Sequence, residues 1–112
     1  MEENLTTNQP LADDDVDQEI DELDIEAFAG LDCKPKARRY LIRIDKKPHL
    51  IEKSTITGRE LLLLAGRVLV EKWRVFQIVS GQSHELDLDE KVDVRAKGVE
   101  KFRTLSRTQT EG

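Results

Sequence analysis

The sequence predicts an α+β domain in which a mixed sheet carries one helix across one of its faces. Three observations lead to this prediction. A run of alternating apolar and polar residues at positions 39–45 is typical of a half-buried strand. A helix with a clear N-terminal signal follows at Thr57. Further alternating runs come after the helix, at residues 73–79 and 99–106, and one helix beside several strands favours a single sheet that packs against it.

The first strand and the chain after it predict a hairpin. Tyr40, Ile42 and Ile44 share one face of the strand, and the other face holds Arg39, Leu41, Arg43 and Asp45. Residues 46–49, which include Pro48, break the alternation and predict a turn or a strand edge. An extended pattern resumes over residues 50–55.

The helix signal is the sequence Thr57-Gly58-Arg59-Glu60, which matches a capping box. Ile56 and Leu61 occupy the two positions of a hydrophobic staple. The helical spacing predicts a buried stripe formed by Leu61, Leu64, Ala65 and Val68. Gly66 is placed to end the helix as its C′ residue.

The remaining elements complete the predicted sheet. Residues 73–79 have apolar side chains on both faces, which favours a central strand. A turn at 80–83 and a short strand at 84–88 follow, and then a polar connection in which Val92 and Val94 point inward. The last strand spans 99–106, with Phe102 as its core residue. With the first and last strands as central neighbours, this order is a β-grasp arrangement.

Charge divides the chain near residue 35. Residues 1–33 hold twelve acids and no Lys or Arg, so the remainder holds 23 − 12 = 11 acids and all 18 bases. We therefore predict a disordered acidic arm over residues 1–35, a domain over residues 36–107 and a flexible tail over residues 108–112. Apolar residues at near-helical spacing make the arm a candidate docking motif: Val16, Ile20, Leu23, Ile25 and Phe28. It could dock on its own domain, on a second copy or on an enzyme; our hypothesis is the contact with a second copy, which would build an oligomer.

The sequence contains no catalytic or cofactor-binding motif. It has no glycine-rich phosphate loop, and His49 and His84 lack companions at metal-ligand spacing, so no metal, cofactor or enzymatic activity is expected. A single cysteine excludes an internal disulfide. No apolar run is long enough to cross a membrane, and no signal peptide is visible, so a cytoplasmic protein is expected. No nucleic-acid-binding motif is present.

Two parts of the sequence resemble the bacterial multiubiquitin family. They are the segments T-G-R-E-L-L at residues 57–62 and G-V-E-x-F-x-T at residues 98–104. The spaced residues Tyr40, Ile42 and Ile44 add to the likeness, which spans roughly residues 38–107 and excludes the acidic arm.

The resemblance implies a ubiquitin-like modifier with a β-grasp fold. It implies adenylation at Gly112 and conjugation to target proteins, as in bacterial ubiquitination, with a role in antiphage defence. It also implies partners from the same operon, namely an activating enzyme, a conjugating enzyme and a JAMM-type peptidase. The chain ends Glu-Gly where a Gly-Gly ending is usual, and it carries one unit where the family often has tandem repeats.

A modifier also needs a face on which its enzymes dock. Leu41, Arg43, Arg103 and Leu105 would share the sheet surface away from the helix, and they are the predicted partner-binding residues. Two other functions stay open at this point. One is a β-grasp interaction module that is never conjugated and that binds partners or itself through its arm. The other is a sulfur carrier with a terminal thiocarboxylate.

Overall fold

The protein is described by a computed structural model, which defines residues 20–107. This part of the chain contains eight strands, one α-helix and two short 3-10 turns, at Glu26–Phe28 and Val70–Lys72. In chain order the main elements are β1 (Ile20–Asp24), β2 (Ala37–Ile44), β3 (Lys47–Ile51), β4 (Thr55–Thr57), α1 (Gly58–Leu64), β5 (Trp73–Val79), β6 (Gln82–Leu86), β7 (Lys91–Asp93) and β8 (Val99–Ser106). No helix in this range is long and apolar enough to cross a membrane.

The main sheet has the strand order β1-β2-β8-β5-β6, and β3 also pairs with β2. The first predicted strand and the last one are parallel neighbours at its centre, with Ile44 opposite Phe102. Strands β4 and β7 form a separate two-stranded sheet. One helix packs against a mixed sheet, so the β-grasp fold expected from the sequence is confirmed.

The β2–β3 hairpin differs from the prediction at its turn. The turn consists of Asp45 and Lys46, both with positive φ (53° and 72°), and Ile44 pairs with Lys47 on either side of it. Positive φ at both central residues is typical of a two-residue hairpin turn, whose twist matches that of the strands. The turn expected at residues 46–49 therefore lies one residue earlier and is only two residues long, whereas the alternative of a strand edge at Pro48 is confirmed, because Pro48 lies inside β3. β3 is at the edge of the sheet, where a residue without an N–H is tolerated.

The N-terminus of α1 forms as the sequence predicts. The Thr57 hydroxyl accepts a hydrogen bond from the Glu60 N–H (3.1 Å), and the Glu60 carboxylate accepts one from the Thr57 N–H (2.9 Å). The second bond lowers the pKa of Glu60 because it stabilises the carboxylate. Gly58 has a separate reason to be glycine, since a Cβ there would lie 2.5 Å from the Asp87 carbonyl oxygen.

The C-terminus of α1 explains why the predicted buried stripe is only partly correct. Gly66 has φ 83°, its N–H bonds to the Leu63 carbonyl, and the next N–H, from Arg67, bonds to the Leu62 carbonyl. This is a Schellman motif, and it ends the helix before Val68. The buried pair is Leu61 and Leu62, whereas Leu64 and Val68 are exposed.

The core lies between α1 and the main sheet and continues under β4 and β7. Ile56 and Leu61, the predicted staple, are both buried in it, as are the predicted inward residues Val92 and Val94. The other large members are Leu23, Ile25, Tyr40, Ile42, Ile44, Leu62, Val75, Leu86 and Phe102.

The sequence predicts that the domain begins at residue 36, but the structure includes residues 20–35 in the domain. β1 pairs in parallel with β2, from Ile20 beside Ala37 to Asp24 beside Leu41. β3 occupies the opposite edge of β2, so β1 and β8 follow one another along the same edge. The domain therefore begins at or before Ile20, because two side chains of this segment, Leu23 and Ile25, belong to the core.

Residues 33–34 attach the N-terminal segment to the chain before β8. Cys33 forms an isolated bridge with Ala96, and the Lys34 N–H bonds to the Arg95 carbonyl. The Lys34 side chain is fully buried, and its ammonium donates to the Ala96 carbonyl at 2.6 Å. Burial lowers the pKa of this lysine, because the charged form loses its hydration.

Candidate functional site

The sheet surface turned away from α1, called the outer face below, carries all four residues predicted to bind partners. In β2, Leu41 and Arg43 alternate with buried residues. In β8, Phe102 shares the core face with Ile44, so Arg103 and Leu105 point to the outer face. The predicted placement of these side chains on one surface therefore follows from the register.

A residue that the sequence did not single out lies at the centre of this face. Phe76 of β5 is opposite Arg103 of β8, and Arg74 is opposite Leu105. The guanidinium carbons of Arg74 and Arg103 lie 5.0 and 5.1 Å from the centre of the Phe76 ring, which is only 9% exposed. The alternation in residues 73–79 placed Arg74 and Phe76 on one face, but it did not indicate which face is covered by the helix.

Acidic residues of the chain neutralise part of the outer face. Arg43 makes a bidentate pair with the Asp24 carboxylate (2.8 and 3.2 Å) and also contacts Glu26 at 3.5 Å. The hydrogen bond from Arg43 lowers the pKa of Asp24 because it stabilises the carboxylate. Arg103 has no ion-pair partner within residues 20–107. Among the predicted residues, it is thus the cation that remains available to another molecule.

Arg74 and Glu85 form a second pair on this face. Their side chains interact through two hydrogen bonds of 3.0 and 3.3 Å, between neighbouring strands β5 and β6. The hydrogen bonding from Arg74 lowers the pKa of Glu85. This pair fixes one of the two guanidinium groups beside Phe76.

The five predicted anchors of the arm have different positions. Leu23 and Ile25 are 2% and 0% exposed in the protein's own core, Ile20 is half-buried, and Phe28 is 39% exposed. Val16 lies outside the described residues. Of the three docking alternatives, the structure supports contact with the protein's own domain. The hypothesis that the arm contacts a second copy stays a prediction; within one chain, the side chains of Leu23 and Ile25 are buried in the core.

The described part of the chain ends beside the outer face. The Arg107 N–H bonds to the Lys72 carbonyl (2.9 Å), and its side chain donates to the Glu71 carbonyl (3.0 Å). These bonds hold the end of β8 against the start of β5, two residues after Leu105. Gly112, the predicted conjugation residue, lies outside the described residues.

A compact polar cluster fixes this end of the domain. The Arg67 guanidinium lies 4.1 Å from the Trp73 ring centre and 3.5 Å from the Asp45 carboxylate. Asp45 accepts hydrogen bonds from both the N–H and the hydroxyl of Thr104 (2.8 and 2.6 Å). The hairpin turn, the helix end and β8 are therefore joined at the point where the chain leaves the sheet.

Among residues 20–107, no three His, Cys, Asp or Glu side chains lie together in a way that could hold a metal ion. The features of the domain are a parallel central strand pair, one helix across the sheet and a chain end that leaves from the central strand β8. They define a ubiquitin-like β-grasp protein.

The family model for multiubiquitin matches residues 40–107, and the chain belongs to the multiubiquitin family. The matched range runs from within β2 to the end of the described residues and does not include β1. Neither a curated protein nor a solved structure matched the chain.

Proposed function

We propose that this protein is a ubiquitin-like modifier that is joined to target proteins through the carboxylate of Gly112. The observation that carries the proposal is the family match over residues 40–107, which covers the central strands and the helix. The position of Arg107 adds support, because the chain leaves the domain beside a surface on which an enzyme could dock. In this function the domain binds the partner enzymes and presents its C-terminal carboxylate to them, and it needs no catalytic residue of its own.

The chemistry takes place at the C-terminal carboxylate and is supplied by partner enzymes. An activating enzyme joins the carboxylate to the α-phosphate of ATP, and pyrophosphate leaves. A cysteine thiolate then displaces AMP to give a thioester, and an amine or hydroxyl of the target displaces the thiolate. Glycine suits the first step because a backbone without a Cβ can enter a narrow channel. A JAMM-type peptidase would hydrolyse the final bond.

The outer face is the surface proposed to bind the activating and conjugating enzymes. It combines the half-buried Leu105 with the exposed Arg103, whose guanidinium lies over the buried ring of Phe76. Apolar residues with a charged rim are typical of protein interfaces, and arginine is frequent among the residues that dominate binding. The Asp24–Arg43 pair lies at the border of this surface, so Arg43 contributes less to binding than Arg103 does.

The proposal is tested by incubating the full-length chain with the activating and conjugating enzymes of its operon and ATP, followed by intact-mass analysis. We expect ATP-dependent adducts on the conjugating enzyme and on target proteins. Deletion of Gly112 abolishes them. Arg103→Glu slows adduct formation about tenfold or more, because it reverses the charge of the docking surface.

The matched control is Arg59→Glu, which changes the same residue type on α1, on the other side of the sheet. It is expected to leave the rate of adduct formation unchanged. The absence of any adduct with active enzymes, or adducts that persist without Gly112, would contradict the proposal.

The proposed role in antiphage defence has its own test. Cells that carry the operon should resist phage infection when the chain is intact and lose resistance when Gly112 is deleted, as measured by plaque counts. Equal plaque counts for the two strains would show that phage resistance does not depend on conjugation through Gly112.

A further inference from the structure

Two basic side chains meet on the outer face where β2 passes β8. Ile44 pairs with Phe102 on the core side of the sheet, so the preceding residues, Arg43 and Lys101, are neighbours on the outer face. Like charges on neighbouring strands are unfavourable unless an acid lies between them. Glu26, in the turn after β1, supplies this acid, because its carboxylate lies 3.5 Å from Arg43 and 3.8 Å from Lys101.

Asp24 adds a second acid at the same point. Its carboxylate accepts two hydrogen bonds from Arg43, at 2.8 and 3.2 Å. Asp24 and Glu26, here called the acidic pair, therefore occupy two cations of the outer face. The acidic pair belongs to a segment outside the matched range 40–107, so it is an addition to the family domain. Its side chains are 33% and 38% exposed, so a molecule bound to the outer face would touch them.

The cations left without an acidic partner lie at the hairpin end of the outer face. Arg103 and Lys46 form no ion pair within residues 20–107. Both line a cleft of about 520 Å³ formed by the β2–β3 turn, β8 and the end of β5, here called the hairpin cleft. Ile78 of β5 adds an aliphatic side chain to its lining. Arg39 of β2 also forms no ion pair in this range, but it lies outside the cleft, near the opposite end of the strand.

The hairpin cleft is basic even when its acids are counted. Five charged residues of the described range line it: Asp45, Lys46, Glu100, Lys101 and Arg103. Asp45 is offset by Arg67, at 3.5 Å, and it accepts two hydrogen bonds from Thr104. Three cations then stand against the carboxylate of Glu100, a net charge of 3 − 1 = +2, and the contact with Glu26 offsets part of the charge of Lys101. The cleft therefore stays positive and favours an anionic ligand.

We propose that the acidic pair determines which partners bind the outer face, because it confines acidic partner residues to the hairpin cleft. This inference rests on the proposed function, since the partner is the activating enzyme that docks on the outer face. The enzyme presents two neighbouring carboxylates beside an aliphatic side chain. The carboxylates pair with Lys46 and Arg103, and the aliphatic side chain contacts Ile78. An acidic surface aimed at Arg43 meets the acidic pair instead and is rejected by like-charge repulsion.

The first test is an NMR titration of the ¹⁵N-labelled full-length chain with hexaglutamate, which needs no enzyme. In the wild-type chain we expect saturable amide shifts at residues 45–47 and 100–104, and none at residues 39–42. In the D24N/E26Q variant the shifts extend to residues 39–44. The affinity rises about three- to tenfold in this variant, because Arg43 and Lys101 become available to the peptide.

The matched control is D87N/D89N, which removes the same two charges from the connection between β6 and β7. It releases Arg59 of α1, whose guanidinium contacts Asp89 at 3.2 Å, and not a cation of the outer face. We expect hexaglutamate to bind the hairpin cleft of this control with an affinity within about twofold of the wild-type value, because salt screens distant exposed charges. R103Q should weaken binding about fivefold, whereas R43Q should leave it unchanged, since the acidic pair already occupies that cation.

The second test identifies the partner from the kinetics of adenylation by the activating enzyme. R103Q should raise the KM for the chain about tenfold with little change in kcat, because docking is weakened while the reacting carboxylate is unaltered. In the D24N/E26Q background the same substitution should raise KM less than about threefold, since Arg43 is then free to replace Arg103.

Three results would overturn the proposal. They are equal affinity of hexaglutamate for the wild type and D24N/E26Q, an equal gain in D87N/D89N, and an equal effect of R103Q on KM in both backgrounds. If D24N/E26Q loses the native amide shifts of β1, R43Q decides: unchanged binding supports the proposal, and a loss as large as that of R103Q overturns it. Deletion of Gly112 leaves the titration unchanged, so a failure of conjugation does not affect the first test.

Discussion

Strands β1 and β8 occupy the same edge of β2, one after the other, yet they come from opposite ends of the domain. Both run parallel to β2 and both contribute fully buried side chains, Leu23 in β1 and Phe102 in β8. They differ in their surroundings. β8 lies between β2 and β5, whereas β1 pairs with β2 alone. An apolar side chain is thus as fully buried in β1, which belongs to an acidic segment, as it is in the central strand β8.

The difference shows what the acids of the N-terminal segment do. Asp21, Asp24 and Glu26 each lie within 4 Å of a basic side chain of β2, and the partner of Asp24 and Glu26 is the same residue, Arg43. Exposed pairs of this kind contribute little free energy, so apolar burial is the main force that holds β1 in place. The acids make the segment compatible with a basic sheet.

The largest effect is expected in the central strand. Phe102→Ala removes a fully buried ring from the β2–β8 contact and lowers the free energy of unfolding by about 3–5 kcal/mol. Urea denaturation followed by tryptophan fluorescence measures the change. Leu105→Ala, in the same strand on the outer face, is the control and costs less. Similar losses for the two variants would contradict the assignment of the two faces.

The next effect decides whether β1 is a structural strand. Leu23→Ala is expected to cost about 2–4 kcal/mol, because it leaves a cavity beside Tyr40. Phe28→Ala changes a residue of the same segment that is 39% exposed, and it should cost less than about 1 kcal/mol. If Leu23→Ala were as mild as Phe28→Ala, β1 would be a loosely attached arm in solution.

The smallest effect concerns the ion pair that joins the two strands. The pKa of Asp24 is lowered in the folded protein by Arg43, so its contribution to stability is present at neutral pH and is lost as the pH falls below about 4. Asp24→Asn should lower the free energy of unfolding by no more than about 1 kcal/mol at pH 7, since both side chains are partly exposed. The difference between the two proteins should shrink in acid. A constant difference from pH 7 to pH 3 would show that the carboxylate charge plays no part.

Much of the fold could be predicted from local patterns, and β1 could not. The capping box, β5, β8 and the two faces of β2 depend on residues close together in the sequence, where periodicity and capping are informative. The buried residues here are Leu23 in β1 and Ile25 directly after it, among acids whose partners come from other strands. The neighbouring residues in the sequence therefore indicated an acidic segment, because they lack the strict apolar–polar alternation that is typical of a strand. Whether Pro48 lies in a turn or in an edge strand depended in the same way on the pairing of β3 with β2.

The candidate site was predictable to the same extent. Strand alternation placed Leu41, Arg43, Arg103 and Leu105 on one face. It did not reveal Phe76 at the centre of that face, because the register between β5 and β8 is not encoded locally. The ion pair that neutralises Arg43 was missed because its partner belongs to β1.

The central functional claim is that the carboxylate of Gly112 becomes covalently bound to other proteins. Trypsin cleaves after Arg107, so a conjugate should leave the remnant Thr-Gln-Thr-Glu-Gly on the acceptor residue of the target. The measurement is mass spectrometry of tryptic peptides from the complete enzymatic reaction. We expect ATP-dependent peptides that carry this remnant, on lysine if the bond is an amide or on serine or threonine if it is an ester. A reaction with an active activating enzyme and no remnant on any protein would contradict it.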